Sequence, residues 1–460
     1  MRILDKITQL LHSGKQLEKI RNGETLTPHD RISLIVSLSV PSMLAQISSV
    51  LMFFIDASMV GHLGARASAS IGLVEPAGWL FGSLTGAASI GFSVQVAHAV
   101  GASDWERMRR IVRCAFASAL LFSLVLMAVA SVIAGPLPHW LGGGTSIQAD
   151  ASAYFLIFAL AAPFFMLENL SSAVLKASGD MHHPSAAAIM LCVLDVVFNY
   201  LFIYVLGLGV KGAALGTDMA FVITVFVLLY YVQKRLRPGF RRRGDYFSAD
   251  IFKEAVKIST PMALQYCLMN GAQIVSTMIV APLGNIAISA HSFAITAESL
   301  CYMPGYGIGD AASTLCGQTW GAGRKRLCRS FARMTIGAGM LVMTLMGLIM
   351  YLLAPEMIRL LTPVADICTL GAQVLRIEAF AEPFFAASIV TYSVCVALGD
   401  TLRPAALNLV SMWCVRLTLA WWLSQQYGLV GVWTAMALEL SFRGMSFLGY
   451  FHYRSRKVLV

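Results

Sequence analysis

Four oxygen-bearing side chains lie inside strongly apolar stretches of the first half of the chain: Asp56, Asp195, Asn199 and Thr217. Asp195 and Asn199 are four residues apart, so they share one face of a helix. Carboxylate, amide and hydroxyl oxygens suit a hard cation such as Na⁺, and buried carboxylates can instead exchange protons near neutral pH. The pattern indicates an ion or proton site. The alternative is that Asp56 and Asp195 only cap or hydrogen-bond neighbouring helices.

The second half carries acids of its own in apolar surroundings: Glu298, Glu378, Glu382 and Glu439. The first three of these form a candidate substrate site or second proton site. Three arginines lie at similar predicted depth: Arg376, Arg416 and Arg443. A structural network of ion pairs therefore explains the same residues at least as well as a site.

The composition identifies the medium in which these acids lie. Of 460 residues, 13% are charged and 57% are hydrophobic, whereas soluble proteins have about 25% charged residues. A soluble fold of this size could not cover its surface with so few charges. The chain is therefore predicted to be a membrane protein, solvated mainly by the lipid bilayer.

Signatures of cofactor-dependent or enzymatic chemistry are missing from the sequence. The nine cysteines are scattered without a CxxC pair, and no HExxH, GxxxxGK[ST] or suitably placed GxSxG motif occurs. We expect no enzyme activity, no cofactor, and no metal beyond a possible Na⁺.

Twelve apolar stretches are long enough to cross a bilayer as helices. They lie near residues 34–60, 68–99, 111–135, 148–175, 185–206, 212–233, 254–280, 285–318, 329–353, 368–397, 404–424 and 430–453. If both termini are cytoplasmic, 28 of the 34 lysines and arginines lie on the cytoplasmic side, as the positive-inside rule requires. This topology explains the net charge of +10 without nucleic acid as a partner.

The chain repeats itself at an offset of 220 residues. Pro41 matches Pro261, and Gly64 matches Gly284. Six spans per half make the repeats parallel, which predicts an all-α membrane protein with two six-helix lobes around a central cavity. The predicted segments are a cytoplasmic N-terminal segment (1–33), an N-lobe (34–233), a basic linker (234–253), a C-lobe (254–453) and a cytoplasmic tail (454–460).

The repeat also separates scaffold residues from functional candidates, because the shared scaffold needs the same residues in both halves. The four candidates of the first half have apolar or small partners in the second. At the offset of 220 these are Ser276 for Asp56, Val415 for Asp195 and Leu419 for Asn199. From Gly209 onward a deletion of one residue makes the offset 219, so Met436 is the partner of Thr217. A polar residue that occurs in only one half needs another explanation, and ion binding supplies one.

Several stretches in order resemble the MATE (multidrug and toxic compound extrusion) transporters: IDASMVGHLG (55–64), VAHAVGASD (96–104), PFFMLENLSSAVLKASGD (163–180), GVKGAALGTD (209–218), CGQTWGAG (316–323) and VALGDTLRP (396–404). The resemblance covers nearly the whole chain. It implies a V-shaped pair of six-helix lobes that exports organic cations and other xenobiotics in exchange for Na⁺ or H⁺.

The resemblance also implies an ion site in the N-lobe. Asp56 matches the family's aspartate on span 1, and Thr217 matches its threonine on span 6. On span 5 the family has Asn followed by Asp, whereas here Asp195 precedes Asn199. A branch of the family has an essential acid on span 7, and residues 261–279 contain none.

The sequence therefore predicts a secondary antiporter for organic, cationic or amphipathic small molecules that works by rocking of its two lobes. We expect a monomer in the inner (plasma) membrane, with both termini cytoplasmic. The alternative within transport is a flippase for a lipid-linked oligosaccharide or related lipid. Such a flippase would be expected to use several arginines or lysines inside the spans, and the first half has none well inside a span.

Overall fold

The structure, a computed structural model, describes residues 13–142, 144–236 and 247–457, and the regular elements in these ranges are helices. The α-helices are α1 (Ser13–Arg21), α2 (Pro28–Gly61), α3 (Ala65–Gly101), α4 (Trp105–Ala134), α5 (Leu137–Trp140), α6 (Thr145–Leu160), α7 (Ala162–Ala177), α8 (His182–Tyr200), α9 (Gly209–Leu236), α10 (Ala249–Val280), α11 (Asn285–Gly321), α12 (Lys325–Arg359), α13 (Ala365–Glu378), α14 (Glu382–Ala397), α15 (Leu402–Val410) and α16 (Leu417–Lys457). Half of the predicted basic linker, residues 237–246, lies outside the described residues, as do residues 1–12 and 458–460 of the predicted terminal segments.

The long helices of the structure fall where the sequence predicts spans. Within the described residues, eight helical stretches are long and apolar enough to cross a membrane, and the bent pairs α6–α7 and α13–α14 raise this number to ten. Helix α11 adds a further 37-residue helix, and the last stretch, Leu402–Arg456, is interrupted at Gly428. The prediction of a twelve-helix all-α membrane fold is confirmed. Helices suit a membrane because they satisfy every backbone polar group within one segment.

The internal repeat is visible in the backbone as well as in the sequence. Gly64 and Gly284 precede α3 and α11 with nearly equal φ values of +100° and +96°, a region that favours glycine. The fourth span of each half is broken at the same place, with bends of 46° between α6 and α7 and 59° between α13 and α14. Pro41 and Pro261 lie inside α2 and α10.

The chain packs into two compact units. The N-unit is Ser48–Ala263, and the C-unit combines Met1–Ile47 with Leu264–Val460. The boundaries between the units therefore lie inside α2 and α10, a few residues after Pro41 and Pro261. The predicted lobes, residues 34–233 and 254–453, are defined as groups of six consecutive spans and not by packing contacts. They stay a prediction.

The first part of α2 packs against α11 within the C-unit. Ser42 Oγ donates to Asp310 Oδ2 over 2.7 Å. At Gly307 a Cβ atom would lie 2.6 Å from the backbone nitrogen of Met43, so only glycine allows the two helices to approach this closely.

The first part of α10 packs against α3 in the same manner within the N-unit. At Gly91 a Cβ atom would lie 2.4 Å from the carbonyl oxygen of Ala255. Gln95 Nε2 donates to the carbonyl oxygen of Ile251 over 3.1 Å. Each half thus contributes the beginning of its first helix to the unit that holds most of the other half.

Helix α1 was not predicted as a separate element of the N-terminal segment. Leu17 and Ile20 are buried, at 1% and 0% exposure. The Arg324 guanidinium donates to the carbonyl oxygens of Lys19 and Ile20 over 3.2 and 3.3 Å. These bonds satisfy carbonyl groups at the C-terminal end of α1, where the helix itself offers no donor.

Candidate ion-binding site

The structure brings Asp56, Asp195 and Asn199 together in the N-unit. Asn199 Nδ2 donates to Asp56 Oδ1 over 3.0 Å and to Asp195 Oδ2 over 3.1 Å. Asp56 belongs to α2 and the other two belong to α8. One amide group therefore joins two carboxyl groups that lie 139 residues apart in the chain.

The third helix of the site is α9, which contributes Thr217 next to Gly216. A Cβ atom at Gly216 would lie 2.1 Å from Asn199 Oδ1 and 2.8 Å from the Asn199 backbone nitrogen. The absence of a side chain at Gly216 thus allows α9 to contact α8 directly. The Thr217 hydroxyl lies close to the Asp195 carboxyl group, so all four predicted residues meet at one place.

Two buried oxygens of the site are available to bind a ligand. Asp195 and Asn199 are 0% and 2% exposed, and within the described residues neither Asp195 Oδ1 nor Asn199 Oδ1 has a hydrogen-bond partner. An unsatisfied buried polar atom costs about 1–3 kcal/mol. A cation held by these oxygens, or a proton shared between the two carboxyl groups, would relieve this cost and the repulsion of like charges.

The local backbone of α8 is unusual directly after Asn199. Residues Leu201–Val205 form a π-helical turn, a feature that occurs frequently at functional sites. The apolar sequence LFIYV gives no signal for this turn, so the prediction of a regular span over 185–206 did not include it.

Sequence reasoning missed Asp218, which follows Thr217 on α9. Its Oδ1 atom is buried and has no hydrogen-bond partner among the described residues. A signal for it was available, because its repeat partner is Ala437. Asp218 therefore breaks the repeat in the same way as the four predicted residues.

In the C-unit, Glu378 and Glu382 lie on the two sides of the bend in the tenth span. Glu378 is the last residue of α13 and Glu382 is the first residue of α14. They are 0% and 1% exposed. Within the described residues, none of their four carboxyl oxygens has a hydrogen-bond partner. Glu298 of α11 is also buried and lies close enough for its charge to act on both.

Glu439 differs from these three glutamates because it has an arginine partner. Arg443 Nε lies 3.1 Å from Glu439 Oε1, and Ser411 Oγ donates to the same oxygen over 2.5 Å. The ion-pair interpretation thus fits Glu439, one turn from Arg443 on α16. Arg416 lies near Glu298, whereas Arg376 faces Tyr351 of α12. The substrate or second proton site at Glu298, Glu378 and Glu382 stays a prediction.

Two segments of the chain match the sequence model of the MatE family, residues 41–201 and 261–422. The chain is 25% identical over 426 residues to the probable multidrug resistance protein NorM of Thermotoga maritima, with 91% of each chain covered. It is 27% identical over 451 residues to the probable multidrug resistance protein NorM of Pseudomonas aeruginosa, which covers 93% of this chain and 90% of that protein.

Solved structures share the whole fold. A crystal structure of MATE in complex with MaL6 is similar with a TM-score of 0.88 at 20% identity, covering 93% of this chain and 97% of that one. The Vibrio cholerae MATE transporter VcmN in the bent form is similar with a TM-score of 0.86 at 18% identity, covering 96% and 98%. The family's sequence model matches most of the chain, and its two matches begin at the spacing of the internal repeat. On this evidence the chain belongs to the MATE family of membrane transporters.

Proposed function

We propose that the protein is a secondary antiporter that exports organic, cationic or amphipathic small molecules in exchange for Na⁺ or H⁺. The observation that carries this proposal is the meeting of Asp56, Asp195 and Asn199 in the N-unit. A half-buried carboxyl group, Asp56, and a fully buried one, Asp195, joined by one amide are suited to bind and release a small cation. The similarity to proteins named as multidrug resistance proteins supports the class of cargo.

The coupling step follows from the course of helix α2. Residues up to Ile47 belong to the C-unit, whereas Asp56 lies in the part that belongs to the N-unit. Ion binding at Asp56 strengthens the attachment of this part of α2 to α8. Because the two parts belong to one helix, the bound and empty states of the site favour different conformations of α2, which is the differential interaction that coupling requires.

The acids of the C-unit form the second part of the proposal. Glu298, Glu378 and Glu382 would hold either a cationic substrate or a second proton, since the carboxyl oxygens of Glu378 and Glu382 have no hydrogen-bond partner among the described residues. Glu439 is not included, because Arg443 already balances its charge. The protein would act as a monomer in the inner membrane. The distribution of lysines and arginines favours both termini in the cytoplasm.

The test is efflux of a cationic dye from proteoliposomes under separately imposed Na⁺ and pH gradients. We expect one of the two gradients to drive efflux, and Asp56→Asn to abolish the driven part because the variant keeps the shape but loses the charge. The matched control is Asp366→Asn, an exposed aspartate at the start of α13.

Undiminished gradient-driven efflux in Asp56→Asn would remove Asp56 from the mechanism. Transbilayer movement of a lipid-linked oligosaccharide, with no dye efflux under either gradient, would favour the flippase alternative. These two results are distinguishable, because the first retains the antiporter and the second replaces it.

A further inference from the structure

A groove of about 540 Å³ lies between α12 and α13 in the C-unit. Six residues line it: Tyr351, Thr369, Gln373, Arg376, Ile377 and Phe380. All but Tyr351 belong to one face of α13 or its end, at spacings of three and four residues that align side chains along a helix. Three adjacent polar side chains thus line a groove on the first helix of the bent pair α13–α14.

Arg376 gives the groove a positive charge. Its Nε atom donates to the carbonyl oxygen of Tyr351 over 3.3 Å, and the guanidinium carbon lies 5.7 Å from the centre of the Tyr351 ring. The side chain is exposed. In the part of the chain that the structure describes, its contacts are with this tyrosine and not with a carboxylate. These contacts orient the guanidinium while its charge stays without a counterion.

The surface around the groove is apolar. Leu348 and Leu352 of α12 are 55% and 63% exposed, and Phe380 is 72% exposed. Such a surface on a membrane-spanning helix is suited to contact acyl chains. An unbalanced arginine in this environment is costly, so an anionic group supplied by the surroundings would stabilise it.

The internal repeat indicates that the fold itself does not need this polar face. Thr369, Gln373 and Arg376 have Ala149, Ala153 and Leu156 as their repeat partners on α6. Helix α6 therefore occupies the equivalent place in the N-unit with an apolar face. The polar residues of α13 need an explanation specific to the C-unit, as the acids of the N-unit do.

The order of the residues along α13 matches the polarity of a lipid. The helix begins at Ala365, and Thr369, Gln373 and Arg376 follow within about 17 Å at 1.5 Å per residue. Phe380 lies beyond them, further from the loop between α12 and α13. The polar groups thus lie nearer the membrane surface, and the aromatic ring lies nearer the membrane centre.

We propose that this groove binds an anionic phospholipid, with the phosphate paired to Arg376 and the acyl chains lying along Phe380 and Ile377. Gln373 and Thr369 would hydrogen-bond to the polar headgroup. In the predicted topology the lipid belongs to the outer leaflet. A free phosphate ion would leave the exposed apolar part of the groove without contacts, whereas the acyl chains of a lipid would cover it. A lipid therefore fits the whole groove.

The experiment is native mass spectrometry of the purified, delipidated full chain, titrated separately with phosphatidylglycerol and phosphatidylcholine of identical acyl chains. We expect one phosphatidylglycerol to bind more tightly than phosphatidylcholine. Arg376→Gln should weaken the binding of phosphatidylglycerol roughly tenfold to a hundredfold, as the loss of a charge-assisted hydrogen bond predicts, and should leave phosphatidylcholine unaffected. The control is Arg359→Gln, an exposed α12 arginine 3.9 Å from Glu356, which should bind both lipids as the unmodified protein does.

A second variant makes the test independent of any single substitution. The combination of Thr369→Ala, Gln373→Ala and Arg376→Leu copies the apolar face of α6, and a thermal melt checks its folding. We expect this variant to lose the preference for phosphatidylglycerol. Equal affinity for the two lipids in the unmodified protein, or unchanged preference in both variants, would overturn the proposal. Displacement of the lipid by inorganic phosphate that binds in its place would assign the groove to a free anion instead.

Discussion

Asn199 links the two carboxyl groups of the candidate ion site. Its amide donates to carboxylates on two helices, and its own carbonyl oxygen points at Gly216. Asp195 and Asn199 share a helix face because they are four residues apart. This spacing lets the Asn199 amide reach Asp195 on its own helix while it also reaches Asp56 on α2.

The substitution Gly216→Ala should disturb the contact between α8 and α9. The added Cβ would lie 2.1 Å from Asn199 Oδ1, so α9 must move away from α8 and the ion ligands must separate. We expect destabilisation of about 1–3 kcal/mol and loss of ion-driven efflux, measured by thermal unfolding in detergent and by proteoliposome assay.

The matched control for this substitution is Gly72→Ala on α3, where a Cβ atom would meet nothing within 4 Å. It should be neutral or stabilising by up to about 1 kcal/mol, because alanine favours a helix. An unchanged melting temperature and efflux rate for Gly216→Ala would show that the close approach of α9 to α8 has no role in the site.

At the scale of elements, α2 links the candidate ion site to the rest of the molecule. It runs from Pro28 to Gly61, and its two parts belong to different packing units. Pro41 lies just before the change of unit and supplies no backbone N–H, so one hydrogen bond of the helix is missing there. A helix is most easily bent at such a position.

The substitution Pro41→Ala should make α2 harder to bend. Alanine restores the missing backbone hydrogen bond and stiffens α2 where it passes from one unit to the other. We expect ion-driven efflux to slow on the order of tenfold, which corresponds to about 1.4 kcal/mol in the barrier, with normal expression. Initial efflux rates from proteoliposomes measure the effect.

Pro355→Ala on α12 is the control, because this proline also lies inside a helix and the helix belongs entirely to the C-unit. Its efflux rate should match that of the unmodified protein. Equal rates for the Pro41→Ala and unmodified proteins would mean that bending of α2 does not limit transport.

At the scale of the whole molecule, the two repeats follow the same backbone path even where their residues differ. Ser103 has a φ of +57° and its repeat partner Gly323 has a φ of +71°. Among the described residues, Ser103 is the one position other than glycine with a positive φ. The turn after the second span thus requires a left-handed residue in both halves, although one half has a serine there.

Exchanging serine and glycine at these two positions tests whether the two turns share one backbone geometry. Ser103→Gly should stabilise the protein by roughly 0.5–1 kcal/mol, since the left-handed conformation is strained for serine and the gain is reduced by the greater freedom of glycine in the unfolded chain. Gly323→Ser should destabilise it by a similar amount. The thermal unfolding midpoints of the two variants measure this, and shifts of the same sign would contradict a shared backbone geometry.

Local and periodic properties of the sequence determined the broad features of this protein. The scarcity of charge, the length of the apolar runs and the offset of 220 residues between Pro41 and Pro261 predicted a twelve-helix duplicated membrane fold, which the structure and the family match confirm. Comparison of the two halves also selected Asp56 and Asp195, because a residue that breaks a repeat is recognisable without any coordinates.

Only the tertiary structure decided which side chains meet. It joined Asp56 to Asn199, paired Glu439 with Arg443 rather than leaving it with the other acids, and placed Arg376 against Tyr351. These contacts depend on how helices that are distant in the chain are rotated and on how closely they approach each other. Glycines such as Gly216 permit the close approach. A helix surrounded by lipid has apolar residues on nearly all of its faces. The hydrophobic pattern of its sequence therefore carries little information about its rotation.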